Sequence, residues 1–509
     1  MAERNNHGAT HTMPGRRVHD LLDEALRTHA EVPAVRDQHG RWTYRELHRH
    51  SIACADWLRG QGVRPGDRIL VQSASTRELV ALCYATSRLG AVFVPINPAT
   101  RAYHLRSILD DAEPVLVLLA EPGDTAALTQ VPVHATAVVW SEVAAIAAAG
   151  PSDTPAADLS ADAVATLVYT SGSTAAPKAV ICAHDRMVFA SEAIQAVLGY
   201  RDDDVVFCRF PISWDYGLYK ILLTCLGRSE LVLAGDESDL RLLSRMRETG
   251  ATVVPIVPSL ATMIAGLAER EQGPLPPVRM FTNTGAALAA STIAALRTAF
   301  PGVRVVRQFG QTECKRISIM PVDEDEQRPD SVGRPLPGTT VLILDPDGEP
   351  VPTGEVGEIV AAGPHVMPGY WRAPELTART FRRGPDGVAR LHTGDYGRLD
   401  ADGYLYFEGR RDDMFKRKGI RMSTTEIEAA ALDVPGVRAA AAVPPGPGRD
   451  LALCVESELP PQVILRELAR RLEPAKVPAT CLVLDELPLT KHGKNARANL
   501  VQLLERSDA

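Results

Sequence analysis

Two nearly unbroken apolar runs, Ala165-Thr166-Leu167-Val168-Tyr169 and Val253-Val254-Pro255-Ile256-Val257, constrain the fold of this chain more than any other feature. A strand with one face in water alternates apolar and polar residues. A strand that is apolar throughout is covered on both faces, as in a parallel sheet flanked by helices. The surrounding text supplies the helices. Thr43-Tyr44-Arg45-Glu46 has the form of a capping box opening a helix, in which a hydroxyl and a carboxylate satisfy each other's backbone amides. Arg68–Val71 then reads as a strand, Thr76–Arg88 as a helix, Val92–Val94 as a strand, His104–Asp110 as a helix and Val115–Leu119 as a strand. This is βαβ grammar, and the large N-terminal region is expected to be α/β with parallel-type sheets flanked by helices.

The alternation stops near Gly409, where a charge run, Arg410–Arg421, precedes a second capping box, Ser423-Thr424-Thr425-Glu426. A boundary there divides the chain into an N-terminal domain, 1–409, and a C-terminal domain, 410–509. Short strands (Ala439–Val443, Leu451–Val455, Cys481–Leu484) around one helix, Gln462–Leu472, make the second part an α+β module. Ala144–Ala157 is Ala/Pro-rich and reads as a surface linker. With 509 residues, 45% hydrophobic and 23% charged, the composition is globular, and a formal charge of -8 argues against nucleic-acid binding, which needs a cationic face. No run of about 18 apolar residues signals a membrane span, and polar Met1–Arg17 has no apolar signal core, so a cytoplasmic protein is expected. Eight scattered cysteines, without metal-ligand spacing, read as mostly buried, reduced thiols, Cys314 among them as a pocket-wall residue.

Chemistry concentrates just after the first apolar run. Thr170-Ser171-Gly172-Ser173-Thr174-Ala175-Ala176-Pro177-Lys178 offers hydroxyls, loop amides and a terminal cation, a combination suited to polyphosphate, although the Walker spacing is absent. On its own such a loop is as often a polar connection. It resembles the signature loop of the AMP-forming adenylating superfamily of acyl-CoA synthetases, adenylation domains and luciferases, and further matches follow in order. Gly285-Ala286-Ala287 resembles the adenine-side turn, and Phe309-Gly310-Gln311-Thr312-Glu313 the aromatic-Gly-x-Thr-Glu motif. Thr393-Gly394-Asp395, Gly409-Arg410-Arg411-Asp412, Lys416 to Gly419 and Leu487–Lys494 resemble the remaining motifs, and Thr43–Leu47, Gly90–Pro95 and Gly369-Tyr370-Trp371 extend the likeness to essentially the whole chain.

The resemblance implies roles. Thr170 to Thr174 and Lys178 would hold phosphates; Phe309 and Phe407 would flank the base beside Gly285, Ala286, Ala287 and Gly310; Asp395 would accept both ribose hydroxyls, with Arg410 on the nucleotide. Thr312 would touch phosphate and Glu313 would hold Mg²⁺. Asp412 would be the hinge of a mobile lid, Lys416 and Gly419 the loop facing the thiol step, and Lys494 the catalytic lysine on the carboxylate and α-phosphate. Arg417 and Lys418 read as solvated, and His184 and His492 as structural, because adenylation of an ionised acid needs no proton transfer.

Two departures matter. Ala175 and Ala179 replace glycines of the signature loop, where alanine narrows backbone approach to phosphate, a change read as tuning. Trp214-Asp215 stands where amino-acid adenylation domains show Phe-Asp, whose carboxylate binds the substrate ammonium; a protein cation is the other partner available to Asp215, with Arg307 and Gln308 before Phe309 and Lys315-Arg316 after Cys314 as the candidates. With Tyr216, Tyr219, Thr282, Thr284, Arg307, Gln308 and Arg316, it implies a polar pocket that a long alkyl chain would leave desolvated and unpaired. The expectation is therefore an ATP- and Mg²⁺-dependent ligase that converts a small polar or aromatic acid, an amino acid included, to an acyl-adenylate. The acyl group then passes to coenzyme A or to the phosphopantetheine of a carrier protein acting in trans. Rival readings are a stand-alone amino-acid adenylation enzyme, a diazotase-like nitrite-activating relative and a non-catalytic nucleotide-binding relative.

Overall fold

The computed structural model describes residues 15–100, 102–119, 136–139, 155–170, 178–234, 238–322, 324–410, 414–417, 420–446, 449–472, 474, 476–488 and 496–507. They form two compact units: Met1–Ser238 with Thr312–Lys315 and Ala362–Ala389, and Asp239–Gln311 with Arg316–Ala361 and Arg390–Ala509.

In the first unit the expected βαβ alternation is present. A six-stranded sheet runs in the order Thr136–Val139, Leu116–Leu119, Arg68–Gln72, Val92–Ile96, Val164–Thr170, Lys178–Ala183. All neighbours are parallel except the last pair, an antiparallel hairpin. Helices Tyr44–Gly60 and Arg77–Leu89 start where their caps require: Thr43 and Glu46 complete a reciprocal box, and the Thr76 hydroxyl accepts the Leu79 amide. Leu70, Val94, Val117 and Leu167 of the strands pack with Leu105 and Ile108 of helix Ala102–Ala112 in one core. A second group in this unit joins Val205–Cys208, Glu230–Leu233 and Pro33–Asp37 in parallel, edged by antiparallel Gly40–Thr43.

The second unit opens with three parallel strands, Val253–Ile256, Met280–Asn283 and Arg304–Phe309. Antiparallel Ser318–Ile319, Ser331–Pro335, Leu405–Arg410 and Ala389–Leu399 continue the sheet. The fold is thus mixed α/β. Further along, Val437–Val443 pairs antiparallel with Ala452–Ser457, which pairs parallel with Thr480–Leu484. Alternate residues of a strand face opposite ways, and this sheet buries both faces. Ala440 and Ala442 pack with Ile427 and Ile464 of helices Thr424–Leu432 and Pro461–Ala469. Ala441 and Val443 pack with Leu500 and Leu504 of helix Arg497–Ser507.

Two expectations for this segment need correction. Its described residues contain three helices rather than one: Thr424–Leu432, which the Ser423 cap opens, Pro461–Ala469, and Arg497–Ser507, which covers a second apolar sheet face. Arg417 is not solvated: it is 8% exposed, pairs its Nε and Nη2 with Asp450 at 2.7 Å each, and donates Nη1 to the Val477 carbonyl. All eight cysteines are buried free thiols. Among the described residues no helix is long and apolar enough to cross a membrane. Most of the Ala144–Ala157 linker lies outside the described residues.

Candidate functional site

The hairpin of the first unit sets Thr170 opposite Lys178, so the two ends of the hydroxyl-rich loop stand side by side. Ser171, Gly172, Ser173 and Thr174 lie outside the described residues. Along the free edge of Lys178–Ala183 runs Gly369–Trp371, held by Ile181 N–H to the Gly369 carbonyl (3.0 Å) and Trp371 N–H to the Ala179 carbonyl (2.9 Å). This pairing brings Tyr370 beside Lys178. Lys178 Nζ donates to the Tyr370 hydroxyl at 2.8 Å and to Glu313 Oε1 at 3.0 Å, and the hydroxyl donates to the same Oε1 at 2.6 Å. The Glu313 carbonyl accepts the Met367 amide at 2.9 Å, and its side chain is 7% exposed. Thr312 is half-buried next to it. One buried carboxylate is a single hard ligand, and the described residues contain no group of three or more His, Cys, Asp or Glu able to hold an ion. That donor set fits Mg²⁺ carried on a polyphosphate, since this ion keeps several waters and takes one or two carboxylates.

Of the acid pocket candidates, Trp214, Asp215, Tyr216 and Tyr219 lie in the same unit, on helix Asp215–Gly227 and the turn before it, whereas Thr282, Thr284, Arg307, Gln308 and Arg316 belong to the second unit. The turn is tight: a Cβ on Gly217 would lie 2.1 Å from the Pro211 carbonyl oxygen, so only glycine fits. Trp214 is half-buried; Tyr216 and Tyr219 are buried. Asp215 Oδ2 and its carbonyl oxygen both accept from Lys315 Nζ, at 3.1 and 2.8 Å. Lys315 is 2% exposed, sits at φ 64° and carries its ammonium 4.5 Å from the Tyr219 ring centre. A left-handed lysine is strained, and the pairing of this buried ammonium with half-buried Asp215 holds it there.

The second unit gathers the residues ascribed to adenosine. Thr393 Oγ1 donates to the Ile359 carbonyl (2.6 Å) and accepts the Asp395 amide (3.0 Å), pinning the turn, with Gly394 at φ 70°. Glu358 grips the same turn from outside, through His392 Nδ1 at 3.0 Å and the Gly394 amide at 3.2 Å. Asp395 is nearly buried, and exposed Arg410 donates Nε to its Oδ1 at 2.9 Å. Phe309 and Phe407 stand 5.3 Å apart between ring centres. Gly310 is half-buried beside Phe309. Gly285 takes φ 89° at an exposed turn with Ala286 and Ala287, closed by Asn283 Nδ2 donating to the Ala286 carbonyl at 3.0 Å.

Thr282 and Thr284 are buried at the end of strand Met280–Asn283. Gln308 Oε1 accepts from Arg316 Nε at 2.8 Å. Arg307 spends its guanidinium on the carbonyls of Asp325, Arg328 and Pro329, so it braces a loop of its own unit. Lys416 is in strand Met414–Arg417. Lys494, Asp412, Gly419 and His492 lie outside the described residues. Sequence reasoning gave no role to Tyr370, for which the signal was the Gly369-Tyr370-Trp371 motif, whereas Lys315 was among the candidate partners of Asp215 and is the one found on it.

The family model for AMP-binding enzymes matches residues 22–371. The chain belongs to the AMP-forming adenylating superfamily. Among superfamily members, salicylyl-CoA synthase / salicylate adenylyltransferase of a Streptomyces species is 30% identical over 94% of this chain and 92% of its own length. A probable nonribosomal peptide synthetase, CymA of Salinispora arenicola, is 31% identical over 93% of this chain, which spans only 6% of that protein. The crystal structure of VinN is 51% identical, covers 78% of this chain and 100% of its own, and superposes with a TM-score of 0.73; VinN has also been solved with L-aspartate and with 3-methylaspartate.

Proposed function

We propose that this adenylating enzyme activates a small amino acid bearing a second carboxylate, of the aspartate type, and passes the acyl group to the thiol of coenzyme A or of a carrier protein's phosphopantetheine. The Asp215–Lys315 pair carries the substrate class. Buried Lys315 left without a partner would be a costly lone charge, whereas a ligand with both an ammonium and a carboxylate re-pairs Asp215 and Lys315 together. A plain aryl acid has no ammonium to offer Asp215. VinN, 50% identical in its complex with L-aspartate, supports the same class.

In the first step a substrate carboxylate oxygen bonds to the α-phosphorus of ATP and pyrophosphate leaves. Two anions meet, so cationic groups must face the developing charge: Lys494 in this role, with Lys178 on the departing phosphates. Glu313 would hold Mg²⁺, which neutralises phosphate charge when bound. Asp395, fixed by the turn described above, accepts the ribose hydroxyls and so holds the nucleotide through both steps. In the second step the thiol sulfur bonds to the carbonyl carbon and AMP leaves. Residues 410–509 serve as the lid that carries Lys494, swinging about Asp412, with Lys416 and Gly419 facing the thiol step.

The test is acid-dependent ATP–pyrophosphate exchange with L-aspartate, 3-methylaspartate, salicylate and an unbranched fatty acid, followed by transfer to coenzyme A and to a phosphopantetheinylated carrier. Exchange is expected with the amino dicarboxylates above the others. Exchange with salicylate alone would move the chain to the aryl-acid class, and no exchange with any acid would leave a nucleotide-binding relative.

A further inference from the structure

Tyr370 is fixed from three sides. Its amide donates to Thr377 Oγ1 at 2.9 Å, its ring meets Phe381 edge-on at 5.5 Å, and its residue bridges Val180 in antiparallel pairing. It is 5% exposed. The hydroxyl that results from this placement accepts from Lys178 Nζ and donates to Glu313 Oε1. Glu313 Oε1 therefore carries two donors, an ammonium and a phenol. Metal on this carboxylate and phosphate near Lys178 both draw the ammonium away, because the cation repels it and the phosphate attracts it. The phenol is neutral and is held by its own backbone, so it has no such reason to leave. A donor that stays keeps the carboxylate aimed while its charge partner changes, at the strength of a hydrogen bond to an ionised group.

We propose that Tyr370 is a positioning residue of the phosphate–metal corner: it holds Lys178 and Glu313 together in the nucleotide-free protein and keeps Glu313 aimed at the metal once Lys178 has moved to phosphate. The proposal rests on the adenylation reading and adds to it a residue outside the nucleotide-contacting motifs. It acts on metal affinity through Glu313, not on nucleotide affinity as such.

The experiment titrates Mn²⁺, by its paramagnetic resonance signal, against the protein with a non-hydrolysable ATP analogue, in wild type, Tyr370→Phe, Glu313→Ala and the double variant. Metal-free analogue binding is measured in parallel with EDTA. Tyr370→Phe is expected to weaken Mn²⁺ in the ternary complex about tenfold, to leave metal-free analogue binding within about twofold, and to add nothing in the Glu313→Ala background. Equal losses with and without metal, or an undiminished loss when Glu313 is absent, would overturn the proposal by making Tyr370 merely structural. Wild-type Mn²⁺ affinity in Tyr370→Phe would overturn it too, while leaving adenylation standing. No ternary complex with wild type would remove both readings.

Discussion

Lys178 Nζ lies 3.0 Å from Glu313 Oε1, so the cation of the signature loop and the carboxylate of the Thr-Glu motif neutralise each other in the same unit. Lys178→Met should therefore do two things. It removes the charge expected on the departing phosphates, and exchange should fall at least a hundredfold. It also leaves the nearly buried Glu313 carboxylate without its cation, so stability should drop by about 1–3 kcal/mol in urea unfolding. Glu313→Gln is expected to cost less stability, since a neutral amide oxygen still accepts from Tyr370. A Lys178→Met protein as active as wild type would dismiss the phosphate role.

Asp215→Ala separates substrate classes. With an amino dicarboxylate, kcat/KM should fall by about two orders of magnitude, the worth of a charged hydrogen bond in a buried pocket. Any aryl-acid turnover should survive, because that acid has no ammonium to lose a partner. Lys315→Met gives the complementary result: exchange with a monocarboxylic amino acid such as alanine should gain relative to L-aspartate. An unchanged aspartate-to-alanine ratio in Lys315→Met would detach the second carboxylate from Lys315.

Local chemistry was legible in the sequence, and distant pairing was not. Thr43 and Thr76 cap their helices because a hydroxyl three residues from an amide decides the matter within one turn. The apolar runs Ala165–Tyr169 and Val253–Val257 announced doubly covered strands, and the strands found there, Val164–Thr170 and Val253–Ile256, have buried centres. The role of Tyr370 was hidden because its partner Lys178 is 192 positions away, joined only through an edge pairing that no periodicity reports. Arg417 looked like part of a wet charge run because Asp450, which neutralises it, lies 33 residues on. Helix Arg497–Ser507 left a weak trace, Leu500 and Leu504 one turn apart, and its necessity appears only once the sheet it covers is known. At the site, motif spacing named Lys178, Glu313 and Asp395 and put Lys315 among several candidate partners of Asp215, and the fold singled it out.

Glu358 holds the turn that presents Asp395, through His392 on one side of Thr393 and the Gly394 amide on the other. Asp395→Ala should raise KM for ATP about tenfold or more, with kcat less affected, since the ribose contact is lost in ground and transition states alike. Glu358→Ala acts through the turn and should raise the same KM about three- to fivefold. The order of these two effects is the check. A Glu358→Ala enzyme impaired in kcat with KM for ATP unmoved would disconnect this carboxylate from the ribose site.

Acid sensitivity follows from His19, His184 and His365, which are 1%, 0% and 0% exposed. Burial pushes each imidazole down to about 4, aided by Arg88 beside His19, by His19 beside His184 and by Arg186 beside His365. All three are neutral in the folded chain, where His184 Nδ1 accepts the Val18 amide and His19 Nδ1 meets Ser87 Oγ. The unfolded chain protonates them near pH 6.5, the folded one only near pH 4. Between those limits the unfolded state binds more protons, so stability falls as pH falls, by about 1.4 kcal/mol per pH unit for each fully engaged histidine. At pH 5 each should have cost on the order of 2 kcal/mol, and the slope fades only well above pH 6.5, where the unfolded imidazoles have lost their protons too. Urea unfolding at pH 7.5, 6 and 5 measures this directly. His184→Asn keeps an acceptor for the Val18 amide while removing one titrating proton, so its stability should decline less steeply over that window even if it starts lower at pH 7.5. If that variant lost stability on acidification as steeply as wild type, the proton uptake would have to be sought at other groups.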